Sequence, residues 1–203
     1  MWDIRLPVAL MAVAVGAALS LAGAQMQTIL NNPLASPFTL GISAAAGFGA
    51  ALGLAFGVAL FPLAAQFMVP LNAFIMAMLS ALLIHFLSMR RGVTAETIVL
   101  LGIALVFTFN ALLALVQFFA TEQAVAAVVF WTMGSLTKAT WPKLGVICLV
   151  ILITLPIFAK RAWALTALRL GDDKAASFGI NVRRLRFQTL IMVSLLASFP
   201  VAF

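Results

Sequence analysis

Acid–base and redox side chains are scarce in this chain: of 203 residues, five are carboxylates, one is a histidine and one is a cysteine. Cys148 stands alone in an apolar run, which excludes a disulfide framework and a cysteine-rich metal site, and it reads as packing. With so few acids, a proton relay or a sodium-coupled carrier has few groups to work with. No Gly-x-x-x-x-Gly-Lys-Ser/Thr loop occurs, so ATP is not bound and hydrolysed by that route, and no catalytic constellation is visible. Charge of either sign is short: 8% of residues are charged, where water-soluble domains carry about a quarter.

What the chain has instead is apolar length. Hydrophobic residues make up 65% of it and the mean hydropathy is +1.21. Several stretches reach the ~18–20 apolar residues that a helix needs to cross about 30 Å of hydrocarbon. The chain therefore reads as an all-α polytopic membrane protein with about six transmembrane helices and short surface helices. The expected spans are Leu6–Ala24, Phe38–Phe61, Phe67–Leu87, Thr97–Ala120, Leu144–Ala159 and Phe187–Phe203. A weaker stretch, Gln123–Trp131, is too short to span and is expected to lie at or re-enter one membrane surface. The first apolar stretch lacks the basic leader of a signal peptide.

The basic residues orient these spans. Seven of the twelve lysines and arginines fall between Lys160 and Arg186. Together with Arg90–Arg91, two spans earlier, they mark the cytoplasmic side by the positive-inside rule, which accounts for the net charge of +7 without nucleic acid. Trp131 and Trp141 then fall at the outer interface and Trp163 at the inner one, whereas Lys138 and Lys143 lie against the trend. The same count puts Met1 outside and leaves the last span without a polar close at Phe203, so residues 1–203 are expected to be one transmembrane domain, incomplete at both ends, of a longer membrane protein. Ala45, Gly49, Gly53 and Gly57 recur every four residues and predict a close helix–helix contact within the chain.

Two connectors stand out. In Asn31–Gly41, two prolines four apart bar a regular helix, Asn32 and Ser36 suit turns before them, and apolar Leu34, Phe38 and Leu40 predict that the connector tucks into the protein. In Leu170–Asn181, Asp172 is expected to cap a helix of about two turns, Asp173 to favour its positive end, and Gly179 to close it in the left-handed conformation. A helix that short needs packing partners, which Leu170, Phe178 and Ile180 are expected to supply while Lys174 faces out. On the residues alone, a helix lying on the membrane and a helix docking a partner are both open.

These segments resemble a known family. Arg5-Leu6-Pro7 leading into Gly16-Ala17-Ala18-Leu19 and Ala22-Gly23, then Asn32-Pro33-Leu34-Ala35-Ser36-Pro37 and Leu40-Gly41-Ile42-Ser43, look like the opening signatures of the iron–siderophore and vitamin B12 (FecCD-type) permeases, the membrane subunits of type II ABC importers. Ala167-Leu168, Leu170-Gly171-Asp172 and Gly179-Ile180-Asn181-Val182 resemble that family's cytoplasmic coupling segment. The resemblance implies roughly ten spans per subunit, of which the second to seventh match here. It also implies a second permease subunit (a homo- or heterodimer), a pair of cytoplasmic ATPases, and a periplasmic or lipoprotein binding protein, all in or at the bacterial cytoplasmic membrane. Carried over, residues 160–186 form the coupling loop, with Leu170, Gly171, Asp172, Asp173, Lys174, Ala175, Phe178 and Gly179 meeting the ATPase. Asn32, Pro33, Leu34, Ala35, Pro37 and Gly41 form the family's connector. The chain departs in one place, with Val8 where the family has an arginine after Leu-Pro.

The implied activity is uptake of ferric siderophores, or of haem or cobalamin, driven by a partner ATPase. The alternatives are a truncated, non-transporting fragment and, more distantly, a secondary transporter. No cofactor or resident metal is implied. Polar residues within spans are where a pathway is sought, and Asn110 and Gln117, seven apart on one face of the fourth span, are the candidates. For these as for Asn72, Ser80, Gln25 and Gln27, an interhelical hydrogen bond is the competing role, and His85 reads as a packed or snorkelling side chain.

Overall fold

The computed structural model of the chain describes residues 2, 4–60, 67–88 and 95–202, and the architecture below refers to these. It is built of helices: α1 (Arg5–Leu30), α2 (Ile42–Phe56), α3 (Met68–Ser88), α4 (Ala95–Phe119), α5 (Glu122–Met133), a 3-10 turn (Leu136–Lys138), α6 (Trp141–Lys160), α7 (Ala162–Leu168), α8 (Asp172–Ser177) and α9 (Val182–Ala202). By length and composition, α1, α3, α4 and α6 are long and apolar enough to cross a membrane. The pair Arg90–Arg91, used above to orient the chain, lies outside the described residues, as do Phe61 and Phe203.

The second expected span is shorter than its apolar run. Helix α2 has 15 residues, about 22 Å at 1.5 Å per residue, which falls short of the hydrocarbon thickness. Its start is delayed because residues 36–41 are committed to a turn. Ser36 and Thr39 bond each other's backbone, with the Ser36 N–H donating to Thr39 Oγ1 at 2.9 Å and the Thr39 N–H to Ser36 Oγ at 3.1 Å. Its end is fixed by Gly57 in the left-handed conformation, whose N–H donates to the Gly53 carbonyl at 3.0 Å. Beyond it, buried Asn72 of α3 donates to the Val58 carbonyl and accepts from the Leu60 N–H at 3.0 Å, pairing backbone groups that leave the helix early.

This short helix is the centre of the fold, with α3, α4, α5 and α9 around it. Its glycines explain how so many neighbours fit. A methyl group on Gly49 would meet the Asn72 carbonyl, and would lie 2.8 Å from Met76 Cγ, while one on Gly53 would lie 3.1 Å from Asn72 Nδ2. The small-residue stripe thus packs α2 on α3 within the chain, which is the expected role. Gly102 of α4 does the same for the connector, taking Leu40 so closely that a methyl group there would stand 2.6 Å from its Cδ2.

The remaining elements follow their local chemistry. Helix α1 runs six residues past the expected end to Leu30 and stops where Asn31 turns left-handed (φ 46°). The Asn31 and Asn32 N–H groups then donate to the Thr28 and Gln27 carbonyls at 3.3 and 3.1 Å, a Schellman closure with asparagine in glycine's usual place. Helix α5 covers the stretch expected to be interfacial, is capped by the Thr121 hydroxyl, and packs mainly on α2. Helix α9 begins at Val182, five residues before the expected span, so Arg183, Arg184 and Arg186 lie on its first turns. Cys148 packs partly buried beside Met11, Ala14, Leu144 and Ile147, and buried His85 stacks against Phe187 with ring centroids 3.9 Å apart.

Candidate functional site

The segment from Leu170 to Asn181 is held as a rigid two-turn projection. Gly171, at φ 104°, turns the chain out of α7 in a backbone conformation that side chains other than hydrogen strain to adopt. Helix α8 follows, and it closes with a second Schellman motif: the Gly179 N–H donates to the Ala176 carbonyl at 2.9 Å and the Ile180 N–H to the Ala175 carbonyl at 3.2 Å. Gly179 is left-handed at φ 78°, as expected. Ala175 is fully buried and joins the main apolar core, with Ile180 packed against the same cluster. The next helix starts at once, since Asn181 Oδ1 accepts from the Arg184 N–H at 2.9 Å as an N-cap.

Asp172 does not cap α8. Gly171 occupies the cap position and no side chain bonds the free N–H groups there. The Asp172 carboxylate faces Arg186 instead, in a two-pronged pair with Nη1–Oδ2 at 2.8 Å and Nη2–Oδ1 at 2.9 Å. The third guanidinium nitrogen, Nε, donates to the Ile29 carbonyl at 3.0 Å. That carbonyl belongs to the last turn of α1, where acceptors lack helical partners and a cation is favoured. One side chain therefore ties together the end of α1, the start of α8 and the first turns of α9. It also places those ends on one side of the protein.

The apolar side chains expected to bury α8 divide differently. Ile180 is packed, whereas Leu170 and Phe178 are more than half exposed. Phe178 stands with its ring centroid 6.1 Å from that of Trp163, itself exposed on α7. What anchors α8 is backbone closure, Ala175 and the Arg186 clamp, which leaves its aromatic side free to meet something else. Asp173 and Lys174 are exposed beside it.

The connector at residues 31–41 is half as buried as expected. Leu40 is fully buried and Ala35 nearly so, but Leu34 is 81% exposed and Phe38 71%. Pro33 and Pro37 break the helix as expected, Asn32 Oδ1 accepts from the Leu34 N–H at 2.9 Å in an Asx turn, and Gly41 is left-handed at φ 75° against Leu105 and Val106 of α4. Ala35 and Ala175 belong to one core cluster, so the connector and the Leu170–Asn181 segment rest on the same core.

Asn110 and Gln117 are placed apart from these segments, on α4. Asn110 is exposed between Phe107 and Leu115, and Gln117 is partly buried. Asn72 bonds the non-helical chain just after α2, at the Val58 carbonyl and the Leu60 N–H, in place of the expected interhelical bond. Ser80 and Gln25 are buried at Oγ and Oε1 without a hydrogen-bond partner. Arg186 is the residue whose structural part the sequence does not reveal, because it reads as one more cation at a membrane surface.

The whole chain, residues 1–203, matches the model of the FecCD transport family. A protein of Methanocaldococcus jannaschii described as an ABC transporter permease is 39% identical over 100% of this chain and 60% of its own length. A Helicobacter pylori protein described as an iron chelatin transport system permease is 36% identical over 98% of this chain and 59% of its own. Other similar proteins are named for hemin, molybdate and vitamin B12, so the names differ in cargo. A solved structure of a protein described as a metal-chelate type ABC transporter, in an inward-facing conformation, superposes with a TM-score of 0.88 at 28% identity, covering 99% of this chain and 63% of that one. The chain thus spans about 60% of the length of the curated relatives it matches.

Proposed function

Because the chain belongs to the FecCD transport family, we propose that it acts as a membrane permease subunit of an ATP-binding-cassette importer for ferric siderophores, with haem or cobalamin as the alternative cargo. Residues 1–203 are part of a single transmembrane permease domain in the cytoplasmic membrane, and residues 160–186 are its coupling loop. The protein is a transport subunit rather than an enzyme. ATP is hydrolysed by a cytoplasmic ATPase pair, a second permease subunit completes the pathway, and an external binding protein delivers cargo.

The observation that carries this reading is the mounting of α8. A two-turn helix in isolation is unstable, yet here its C-terminal end is closed by backbone hydrogen bonds and Arg186 fixes its base. Its outer side, with Lys174 and Phe178, is exposed. A lever needs that combination, rigid towards the spans and open towards a partner. ATP-driven movement of the ATPase is passed through α8 to the ends of α1 and α9, and shifts the balance between inward- and outward-open states. Asn110 and Gln117 face the pathway from the middle and outer part of α4, where a polar side chain on an apolar face calls for water or cargo.

The test is cysteine cross-linking in a background without Cys148. With Cys148→Ser as background, Lys174→Cys is predicted to cross-link to the co-expressed ATPase, while a cysteine replacing Val13, exposed on α1, does not. Cross-linking to the ATPase from neither position rejects the coupling assignment.

A further inference from the structure

A groove opens where α6 meets α7 and α9 begins. It is open, with a volume of about 360 Å³. Arg161, Arg184, Asn181 and Gln188 line it, with Ile180 and Leu185 on its apolar side, and no carboxylate is among its lining residues. Among the described residues neither arginine has a carboxylate partner, whereas Arg186 at the same end is paired with Asp172. The Arg161 guanidinium is the more telling of the two. Its Nη1 is shielded from solvent and makes no hydrogen bond. A buried guanidinium donor left without an acceptor is costly, and the side chain could release it to water by swinging outward. Its position is that of a donor awaiting an acceptor.

The groove's place at the end of a helix long enough to span points to the acceptor's source. Arg161 ends α6, one of the helices long enough to span, and exposed Trp163 two residues later is a residue type that settles at headgroup level. Asn181 already spends Oδ1 on the Arg184 N–H, so its amide hydrogens are its remaining donors. The site therefore offers donors and positive charge above an apolar floor, at the level where lipid phosphates lie. We propose that this groove binds the phosphate of an acidic membrane lipid, with Arg161 and Arg184 as its charge partners and Ile180 and Leu185 against the glycerol. This assignment is independent of whether α8 docks an ATPase. Its consequence is that an anionic lipid bridges α6 to α9 beside the coupling segment.

The test is lipid retention by the protein purified in detergent, read by native mass spectrometry after adding phosphatidylglycerol, phosphatidylcholine or inorganic phosphate. Phosphatidylglycerol is expected to be retained over phosphatidylcholine. At about 1 kcal/mol per basic residue near a lipid surface, each arginine contributes roughly 5-fold and both together about 30-fold. Arg184→Gln is expected to lose the single-residue factor and Arg161→Gln/Arg184→Gln the whole preference, while Arg169→Gln, outside the groove, keeps it. The Arg184→Gln arm carries the test if the double variant fails to fold, because Arg184 is exposed. Equal retention of the two lipids, an equal loss in Arg169→Gln, or binding of inorganic phosphate without binding of phosphatidylglycerol overturns the proposal.

Discussion

Breaking the Arg186 clamp should loosen α8 by an amount that can be worked out bond by bond. The Asp172 side chain is 51% exposed and that of Arg186 21%. An ion pair so open to water is worth about 1 kcal/mol even with two-pronged geometry. The bond to the Ile29 carbonyl is better shielded and lies at a helix C-terminus, which adds about another 1 kcal/mol. Asp172→Asn removes only the first part, so local opening of α8 should become roughly 5-fold more frequent. Arg186→Gln removes both, for about 30-fold, and should also loosen the end of α1. Arg186→Lys keeps the charge but not the fork, and is expected to fall between them.

Amide hydrogen exchange reads this directly, at the N–H groups of Ala175, Phe178, Gly179 and Ile180, all of which are hydrogen-bonded in the closed segment. The double variant should exchange no faster than Arg186→Gln alone, since the carboxylate has lost its partner already. If Asp172→Asn stays within about 2-fold of wild type, or if the two single effects add within about 0.5 kcal/mol, the clamp does not hold α8 and the reasoning fails.

Packing at the centre of the fold gives two further outcomes. Gly49→Ala should lower the unfolding temperature in detergent, because the methyl group meets the Asn72 carbonyl, at a cost of about 1–3 kcal/mol. Gly16→Ala, with nothing within 4 Å, should be neutral or slightly stabilising; equal effects at both sites would contradict the close-contact account. Asn72→Leu leaves the Val58 carbonyl and the Leu60 N–H without their partner, costing about 1–3 kcal/mol, whereas exposed Asn110→Leu should leave thermal stability unchanged. Matching losses in the two asparagine variants would remove the distinction drawn between them.

The helical class and the rough span positions were legible because apolar length is a one-dimensional property. Boundaries were less so, and each miss has a local cause. The expected span Phe38–Phe61 exceeds α2 because the stretch carries no charge and few polar groups, while what cuts the helix is the Ser36–Thr39 turn and the left-handed Gly57. Helix α1 was drawn too short because Gln25, Gln27 and Thr28 look like an exit from the membrane but remain good helix residues until Asn31. The shape of the Leu170–Asn181 segment was legible in outline, since Gly179 at the end of a short helix implies its closure. Asp172 was assigned to a cap because cap chemistry is local, whereas its actual partner, Arg186, lies fourteen residues away and is brought near only by the packing of α9. Leu34 and Phe38 were assigned to the interior by their apolarity, but exposure of a single apolar side chain depends on what surrounds it, which no local pattern records.

If α8 transmits ATPase motion to the spans, Gly179→Val in the assembled transporter should uncouple the two. At φ 78° a β-branched residue strains the closure of α8 by about 1–2 kcal/mol, without touching any span. In proteoliposomes, ferric siderophore uptake per ATP hydrolysed is predicted to fall several-fold, with membrane insertion and ATPase turnover retained. Uptake per ATP unchanged from wild type would contradict the account.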